Sequence, residues 1–161
     1  METAQVVTAA TAKDYREARR LFEQYRAFLG MDLEFQGFRA ELDSLAVMYG
    51  PPRGSLLLAR VADEFVGCAG LRDLGASVAE MKRMYVLPAY QGRGVGKLLT
   101  VRLLEIASGL GYEAVRLDTI SRLDRAVTLY RKLGFIEIDA YRYNPDPTVI
   151  YMEKRLTPVA P

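Results

Sequence analysis

The spacing of apolar residues changes along the chain between a helical and an extended period, which predicts helices and strands in a mixed order. Apolar side chains at helical spacing follow Thr11, which can cap a helix, and continue as far as Gly30, which ends it. Two alternating runs, Ser55–Ala62 and Phe65–Leu71, flank a polar turn and predict a hairpin.

The remaining segments complete the predicted order. They are a first strand at Gln5–Ala9, a second helix at Phe35–Leu45, a strand at Ser77–Leu87, a helix from the glycines after Pro88 to about Ser108, a strand at Glu113–Asp118, a helix at Leu123–Leu133, and strands at Phe135–Asp139 and Thr148–Leu156. The order β-α-α-β-β-β-α-β-α-β-β is typical of an α/β or α+β layer fold with a mixed sheet. We expect one domain over residues 1–161, with a loose tail at 157–161.

The composition excludes several kinds of active site. The chain has no His, and Cys68 is its one Cys. Ser-His-Asp triads, Cys-His pairs, His-ligated metals, zinc clusters and internal disulfides are therefore excluded, and no metal is expected. Cys68 lies in an apolar strand pattern and is expected to be buried. Acid or base work must come from Asp, Glu, Tyr, Lys or water.

Charge and hydropathy point to an ordinary globular protein. The net charge is +2, from 22 basic and 20 acidic residues, which gives no argument for a nucleic-acid or membrane partner. The first residues lack a basic-then-apolar signal pattern, and the longest strongly apolar stretch, Leu56–Ala59, is too short to cross a bilayer. We expect a cytoplasmic location.

A glycine-rich segment joins the strand at Ser77–Leu87 to the next helix. Residues 90–99 read Tyr-Gln-Gly-Arg-Gly-Val-Gly-Lys-Leu-Leu, with glycines at alternate positions 92, 94 and 96. Glycines leave the backbone N–H groups uncovered where the positive end of the helix dipole lies. This arrangement predicts an anion site for a phosphate-bearing ligand.

The spacing argues against two common phosphate loops. A Walker A loop needs a hydroxyl after Gly-Lys, but Gly96-Lys97 is followed by Leu98, and Gln91 occupies the place of its first glycine. A dinucleotide fingerprint has its third glycine where this chain has Lys97. Asp118 ends a later strand at a suitable distance, so dinucleotide binding stays open as an alternative.

Two motifs instead resemble the GCN5-related N-acetyltransferase (GNAT) superfamily. Gln91, Gly94 and Gly96 match its Gln-x-x-Gly-x-Gly acetyl-CoA pyrophosphate loop, and residues 129–135, Leu-Tyr-Arg-Lys-Leu-Gly-Phe, match its Leu-Tyr-x-Lys-x-Gly-Phe segment. The order and separation of the motifs also match. The resemblance covers about residues 4–156. It implies a mostly antiparallel mixed sheet of about seven strands, splayed between the fourth and fifth, with about four helices.

The resemblance also implies acetyl-CoA as co-substrate. Its pantetheine arm would lie along the fourth strand and its pyrophosphate in the loop, with Arg93 and Lys97 adding positive charge. The implied cofactor-binding residues are Met84, Tyr85, Val86, Gln91, Gly92, Arg93, Gly94, Val95, Gly96 and Lys97. Many members carry an Asn seven residues before the motif Tyr. Leu123 stands at that place here, and Ser121 or Arg122 could substitute.

Two catalytic residues follow from the same resemblance. Tyr130 is expected to protonate the leaving thiolate, or otherwise to pack or hydrogen-bond the sulfur. Glu80, eleven positions before Gln91, is expected to be the base, unless a water chain deprotonates the amine. Strand alternation predicts that Glu80 shares a face with Lys82, Met84 and Val86. A backbone N–H near Val86 would hold the oxyanion.

The expected acceptor is the amine of a small molecule or amino acid, attacked directly in a ternary complex. Its pocket would be formed by the first two helices and the loop between the last two strands, and the candidates are Phe35, Phe38, Asp118, Thr119, Arg122, Tyr141, Tyr143 and Asn144. A protein N-terminus or lysine is the alternative acceptor. A CoA-binding sensor without turnover is the alternative of a different class, and homodimerisation is left open.

Overall fold

The computed structural model describes residues 3–157, which form seven strands and five α-helices. The elements are β1 (Gln5–Thr8), α1 (Ala12–Leu29), α2 (Phe38–Leu42), α3 (Leu45–Met48), β2 (Ser55–Val61), β3 (Glu64–Gly75), β4 (Val78–Val86), α4 (Val95–Gly109), β5 (Ala114–Ile120), α5 (Asp124–Lys132), β6 (Ile136–Ile138) and β7 (Val149–Arg155). The predicted tail at 157–161 lies outside the described residues apart from Thr157. Among the described residues, no helix is long and apolar enough to cross a membrane.

One mixed sheet carries the fold, in the order β1-β2-β3-β4-β5-β7-β6. Every neighbouring pair is antiparallel except β4 and β5, which are parallel and pair over three residues, ending at Glu80 opposite Arg116. Beyond that point the two strands separate. The predicted fold class, including the splay between the fourth and fifth strands, is confirmed.

Two apolar clusters cover opposite faces of the sheet. One contains Leu99 and Leu103 of α4 together with Tyr130 of α5. The other contains Leu21 and Phe22 of α1 together with residues of α2 and α3. The sheet is therefore a middle layer, with α1–α3 on one side and α4 and α5 on the other. The opening between β4 and β5 connects the two sides.

The ends of the first helix form as predicted. The Thr11 hydroxyl accepts a hydrogen bond from the Asp14 N–H at 3.1 Å, and the Asp14 carboxylate accepts one from the Thr11 N–H at 3.0 Å. This reciprocal capping box satisfies two N–H groups that the helix leaves free. Gly30 ends the helix in the left-handed conformation, with φ of 67°.

The single helix predicted at Phe35–Leu45 is wrong. A 3-10 turn at Glu34–Gln36, α2 and α3 occupy this region instead. Gly37 separates the turn from α2, because its φ of 71° is outside the helical range. The five helices replace the expected four because this segment is divided.

A bulge in β4 changes which side chains share a face. Cys68 of β3 pairs with Tyr85 and Gly70 with Lys82, so Arg83 and Met84 together lie opposite one residue of β3. Arg83 has φ of 59°. The prediction that Met84 and Val86 share a face with Glu80 is therefore wrong. They contact the α4 cluster, whereas Glu80 and Lys82 face the side of α1 and α2.

Candidate active site

A cleft of about 490 Å³ opens where β4 and β5 separate. Its walls are the end of β4, the glycine loop, the start of α5 and two aromatic side chains of α1. The lining residues are Tyr25, Phe28, Met84, Tyr85, Val86, Tyr90, Gln91, Gly92, Gly94, Val95, Gly96, Lys97, Arg122, Leu123, Asp124, Arg125, Ala126 and Leu129. A cleft of this size is in the range of small-molecule sites.

The glycine loop presents free amides to this cleft. Gly92 and Gly94 have φ of 76° and 83°, a left-handed conformation that other residues rarely adopt. Gly94 is the N-cap of α4, and the first N–H that bonds within the helix is that of Leu98, to the Gly94 carbonyl. The N–H groups of the preceding helical residues are the ones a helix start leaves open. The first turn holds no acidic residue that would repel an anion.

Gln91 fixes the loop against the end of β4. Its side-chain amide donates a hydrogen bond of 2.9 Å to the carbonyl oxygen of Val86. The Gln therefore closes the turn between strand and helix, which places the glycines beside the edge of β4. This gives a physical reason for a Gln at the start of the motif.

Nine of the ten predicted cofactor-binding residues line the cleft, and Arg93 does not. Its guanidinium lies 5.2 Å from the centre of the Tyr90 ring. Arg125 of α5 also lines the cleft, and sequence reasoning missed it. A Cβ built on Gly92 would lie 3.4 Å from its guanidinium. Arg125 therefore reaches across to the loop. The sequence signal that could have identified Arg125 is its position as a basic residue at the start of α5, just after β5 ends.

The position of the missing Asn is filled by an apolar side chain. Leu123 lines the main cleft and both smaller cavities beside it. Of the two suggested substitutes, Arg122 lines the cleft and donates a hydrogen bond to the Leu29 carbonyl, whereas Ser121 lines none of the three.

Tyr130 lies behind the main cleft, on the wall of a cavity of about 40 Å³ between β4 and β5. It is buried, and its ring packs against Phe135 at 5.6 Å. Burial raises the pKa of its hydroxyl, followed by a smaller effect of Tyr25, so the phenol stays protonated at neutral pH. Within residues 3–157 no protein group hydrogen-bonds this hydroxyl, which leaves the proton available to a ligand.

A third cavity, of about 30 Å³, continues toward α1 and the loop between β6 and β7. Arg83, Asp118 and Thr119 line both small cavities, so these two spaces adjoin. Asp118 accepts a hydrogen bond of 3.4 Å from the Asn144 amide, and among residues 3–157 no cation lies within ion-pair distance of it. The carboxylate is therefore free to face an amine.

The predicted acceptor residues divide into two groups. Phe35, Asp118, Thr119 and Asn144 line the third cavity, and exposed Tyr143 packs edge-on against Phe35 at 6.3 Å. The other three predicted residues, Phe38, Arg122 and Tyr141, do not line it. Phe38 is a core residue under Arg83, and Tyr141 donates a hydrogen bond to Glu80.

Glu80 is fully buried among cationic and phenolic donors. Its Oε1 accepts a hydrogen bond of 2.9 Å from Arg72, and its Oε2 accepts one of 2.6 Å from Tyr141 and another from Arg142. These contacts tie the loop between β6 and β7 to the sheet. An acceptor amine could reach the carboxylate only by displacing them, so the role of Glu80 as base stays a prediction.

Lys82 is the second ionisable residue on that face. Its Nζ donates to the Gln36 side-chain oxygen at 3.1 Å and lies 3.9 Å from Glu80 Oε1. Burial, reinforced by the charge of Arg83, lowers the pKa of Lys82 to about 7. It lines the same small cavity as Tyr130 and Asp118.

Other nucleophiles and metal ligands give no competing site. Cys68 is buried as expected, and burial raises the pKa of its thiol. Within residues 3–157 no group of three or more His, Cys, Asp or Glu side chains is arranged to hold a metal ion. The expectation of a metal-free site stays a prediction.

Comparison with known proteins agrees with this geometry. The model of the acetyltransferase (GNAT) family matches residues 15–135. An uncharacterized N-acetyltransferase of Schizosaccharomyces pombe is 37% identical over 149 residues, which covers 90% of each chain. A solved structure from Klebsiella pneumoniae, assigned to the acyl-CoA N-acyltransferases, is 27% identical with a TM-score of 0.71 and covers 98% of this chain and 99% of that one. A GNAT-family acetyltransferase of Staphylococcus aureus shares the fold at 19% identity, with a TM-score of 0.80 over 96% of this chain and all of that one.

Proposed function

Because the chain belongs to the GNAT family of acetyltransferases, we propose that it transfers an acetyl group from acetyl-CoA to the amine of a small molecule or amino acid. The observation that carries the proposal is that three neighbouring cavities share lining residues. The large cleft beside the glycine loop adjoins a small cavity lined by Tyr130 and Asp118, which in turn adjoins the third cavity, lined by Asp118 and Asn144. Donor and acceptor would therefore meet at the opening between β4 and β5.

The donor would be held mainly by backbone. The free N–H groups at the start of α4, with Lys97 and Arg125 beside them, provide positive potential for a pyrophosphate. The edge of β4 beyond Glu80 no longer pairs with β5, so its backbone groups can pair with an extended pantetheine arm. Tyr85, Tyr25 and Phe28 give the cleft an aromatic wall.

The reaction is proposed as direct attack in a ternary complex. The neutral amine forms the new N–C bond, the C–S bond breaks, and the sulfur takes a proton from the Tyr130 hydroxyl. The ammonium must first lose a proton, to Glu80 or to a water chain. Cys68 is buried away from the cleft, so no acyl-cysteine step is proposed.

Two alternatives to a small-molecule acetyltransferase stay open. A protein N-terminus or lysine is the second acceptor class, and a CoA sensor without turnover is the alternative that is not an enzyme. We propose that the chain acts as a single domain in the cytoplasm, with homodimerisation left open.

A thiol-release assay tests the proposed function. Purified protein is incubated with acetyl-CoA and a panel of amines, amino acids and short peptides, and free CoA thiol is measured together with the acetylated product. The proposal predicts release that depends on a small acceptor. Tight CoA binding without release from any member of the panel would favour the sensor.

Arg125 is predicted to contribute to CoA affinity. The Arg125→Ala variant should bind CoA about 10- to 100-fold more weakly in calorimetric titration, since a hydrogen bond to a charged group is lost. Arg131→Ala, on the exposed face of the same helix, is the matched control and should bind as the wild type does. Equal affinity of wild type and Arg125→Ala would remove Arg125 from the site.

Replacing Glu80 tests whether it acts as the base or only holds the loop between β6 and β7 in place. In Glu80→Gln we expect the KM for the acceptor to rise several-fold, because the contacts to Tyr141 and Arg142 weaken, and the acidic limb of the pH–rate profile to be lost, because the proposed base is removed. The profile is measured at saturating acetyl-CoA. A pH–rate profile unchanged from the wild type, in a variant with an unchanged circular dichroism spectrum, would leave Glu80 as a loop anchor only.

A further inference from the structure

The acceptor end of the opening between β4 and β5 holds a cluster of charged side chains, several of them buried. Four cations face three carboxylates there, namely Arg72, Lys82, Arg83 and Arg142 against Glu41, Glu80 and Asp118. Neighbouring Arg116 has its own partner in Glu153 at 3.8 Å. Buried charges in proteins are normally paired, and Lys82 and Asp118 are the two members of this group whose hydrogen-bond partners are neutral amides.

Lys82 is the cation of this group with the weakest pairing. Arg83 is matched by Glu41 through two hydrogen bonds of 2.9 Å, and Glu80 is shared by Arg72 and Arg142. Within the described part of the chain, the Lys82 ammonium has only the neutral side-chain oxygen of Gln36 at 3.1 Å and Glu80 Oε1 at 3.9 Å. Its side chain is 5% exposed, so water does not compensate it fully.

The charge left unpaired on the opposite side of the same cavity is negative. Asp118 lies on β5, across the opening from Lys82, and both line the cavity that also holds Tyr130. An amino group next to a carboxylate in one small ligand would match these two charges. The cavity of about 40 Å³ holds little more than such a head group.

We propose that the acceptor is an α-amino acid, whose carboxylate binds Lys82 while its amino group lies against Asp118. This assignment rests on the proposed acetyl transfer and specifies its acceptor. The ammonium of the ligand would lie beside a carboxylate that has no cationic partner in the described structure. The carboxylate would complete the pairing of the buried lysine, and Gln36 would hold the Lys82 side chain in place.

The same pairing gives selectivity. An amine without a carboxylate would leave Lys82 buried and unmatched, and a site with unpaired buried groups rejects such an analogue strongly. A protein N-terminus lacks this carboxylate, since it is an amide in the peptide chain. The inference therefore separates the two acceptor classes of the proposed function.

The test compares acceptors that differ in one group. Each α-amino acid that releases thiol is measured beside its amide and its decarboxylated amine, with kcat/KM as the readout. We expect the amino acid to be favoured about 10- to 100-fold. In Lys82→Met this preference should fall to near unity, because kcat/KM for the amino acid falls while kcat/KM for its amide and its decarboxylated amine does not. Lys13→Met, on an exposed position of α1, should keep it.

Two outcomes would overturn the assignment. One is a wild-type protein that uses amides or decarboxylated amines as well as the parent acids, a comparison that needs no variant to fold. The other is a Lys82→Met variant that loses activity equally on all three acceptor forms. In both cases acetyl transfer itself would stand, whereas absence of thiol release from every acceptor would contradict the proposed function.

Discussion

Replacing Tyr130 with phenylalanine is expected to lower kcat about 100-fold or more, with little change in the affinity for acetyl-CoA. The hydroxyl borders the space between the two substrate cavities, stays protonated at neutral pH, and has no protein partner within residues 3–157. Its removal leaves the thiolate without its acid. The aromatic ring, which packs against Phe135 at 5.6 Å, is retained, so binding should survive.

The control for this prediction is another buried tyrosine. Tyr112 is buried on the α4 side and donates a hydrogen bond of 2.7 Å to the Arg53 carbonyl, away from the cleft. Tyr112→Phe loses the hydroxyl of a residue that is similarly buried overall, but it should keep the wild-type kcat. If Tyr130→Phe acetylates a confirmed acceptor at the wild-type rate, Tyr130 is not the acid.

Replacing Glu41 with alanine is expected to destabilise the fold by about 3–5 kcal/mol, because it leaves a buried guanidinium unpaired. Arg83 and Glu41 are both buried, and the carboxylate also accepts the Tyr49 hydroxyl at 2.9 Å. Arg83 holds the bulge of β4, so this pair supports the shape of the opening to β5. Urea unfolding followed by circular dichroism measures the change.

The exposed pair Arg102–Glu105 provides the control, since Glu105→Ala should change the stability by less than about 1 kcal/mol. Removing both buried charges in Glu41→Leu with Arg83→Met should recover much of the loss, because no lone buried charge remains. A Glu41→Ala protein as stable as the Glu105→Ala control would show that the pair adds nothing.

The stability difference should also depend on pH. Burial acts to raise the pKa of Glu41, but hydrogen bonds and charge from Arg83 outweigh it and hold the pKa below its ordinary value of 4.5. A carboxyl group with a lowered pKa in the folded state stabilises the fold above its unfolded pKa. The difference between wild type and Glu41→Ala should therefore be full above about pH 5 and shrink as the pH falls through the folded pKa.

The parts of the fold that local chemistry determines could be predicted from the sequence. Thr11 and Gly30 bound α1 because capping and left-handed termination depend on the residues themselves. The glycine loop was predictable for the same reason, since Gly92 and Gly94 adopt the left-handed conformation that a turn into a helix needs. The splay of β4 from β5 was predicted from the resemblance, because it is a property of the whole sheet.

What the sequence did not reveal depends on contacts between distant segments. Arg83 carries no local signal for a positive φ, and its conformation is supported by a pair with Glu41, 42 residues away. The bulge then reverses the faces of Met84 and Val86, which simple alternation cannot anticipate. The burial of Glu80 under Tyr141 and Arg142 could not be foreseen, because these contacts come from a loop about 60 residues later.

A single-turnover experiment followed by mass spectrometry tests the central claim most directly. Protein in excess over acetyl-CoA is mixed with an active acceptor, and acetylated acceptor, free CoA and the intact protein mass are followed together. Direct transfer predicts that acetylated acceptor and CoA appear at equal rates and in equal amounts, while the protein mass never changes. CoA release that precedes product and coincides with an acetylated protein, or no product at all, would contradict the account.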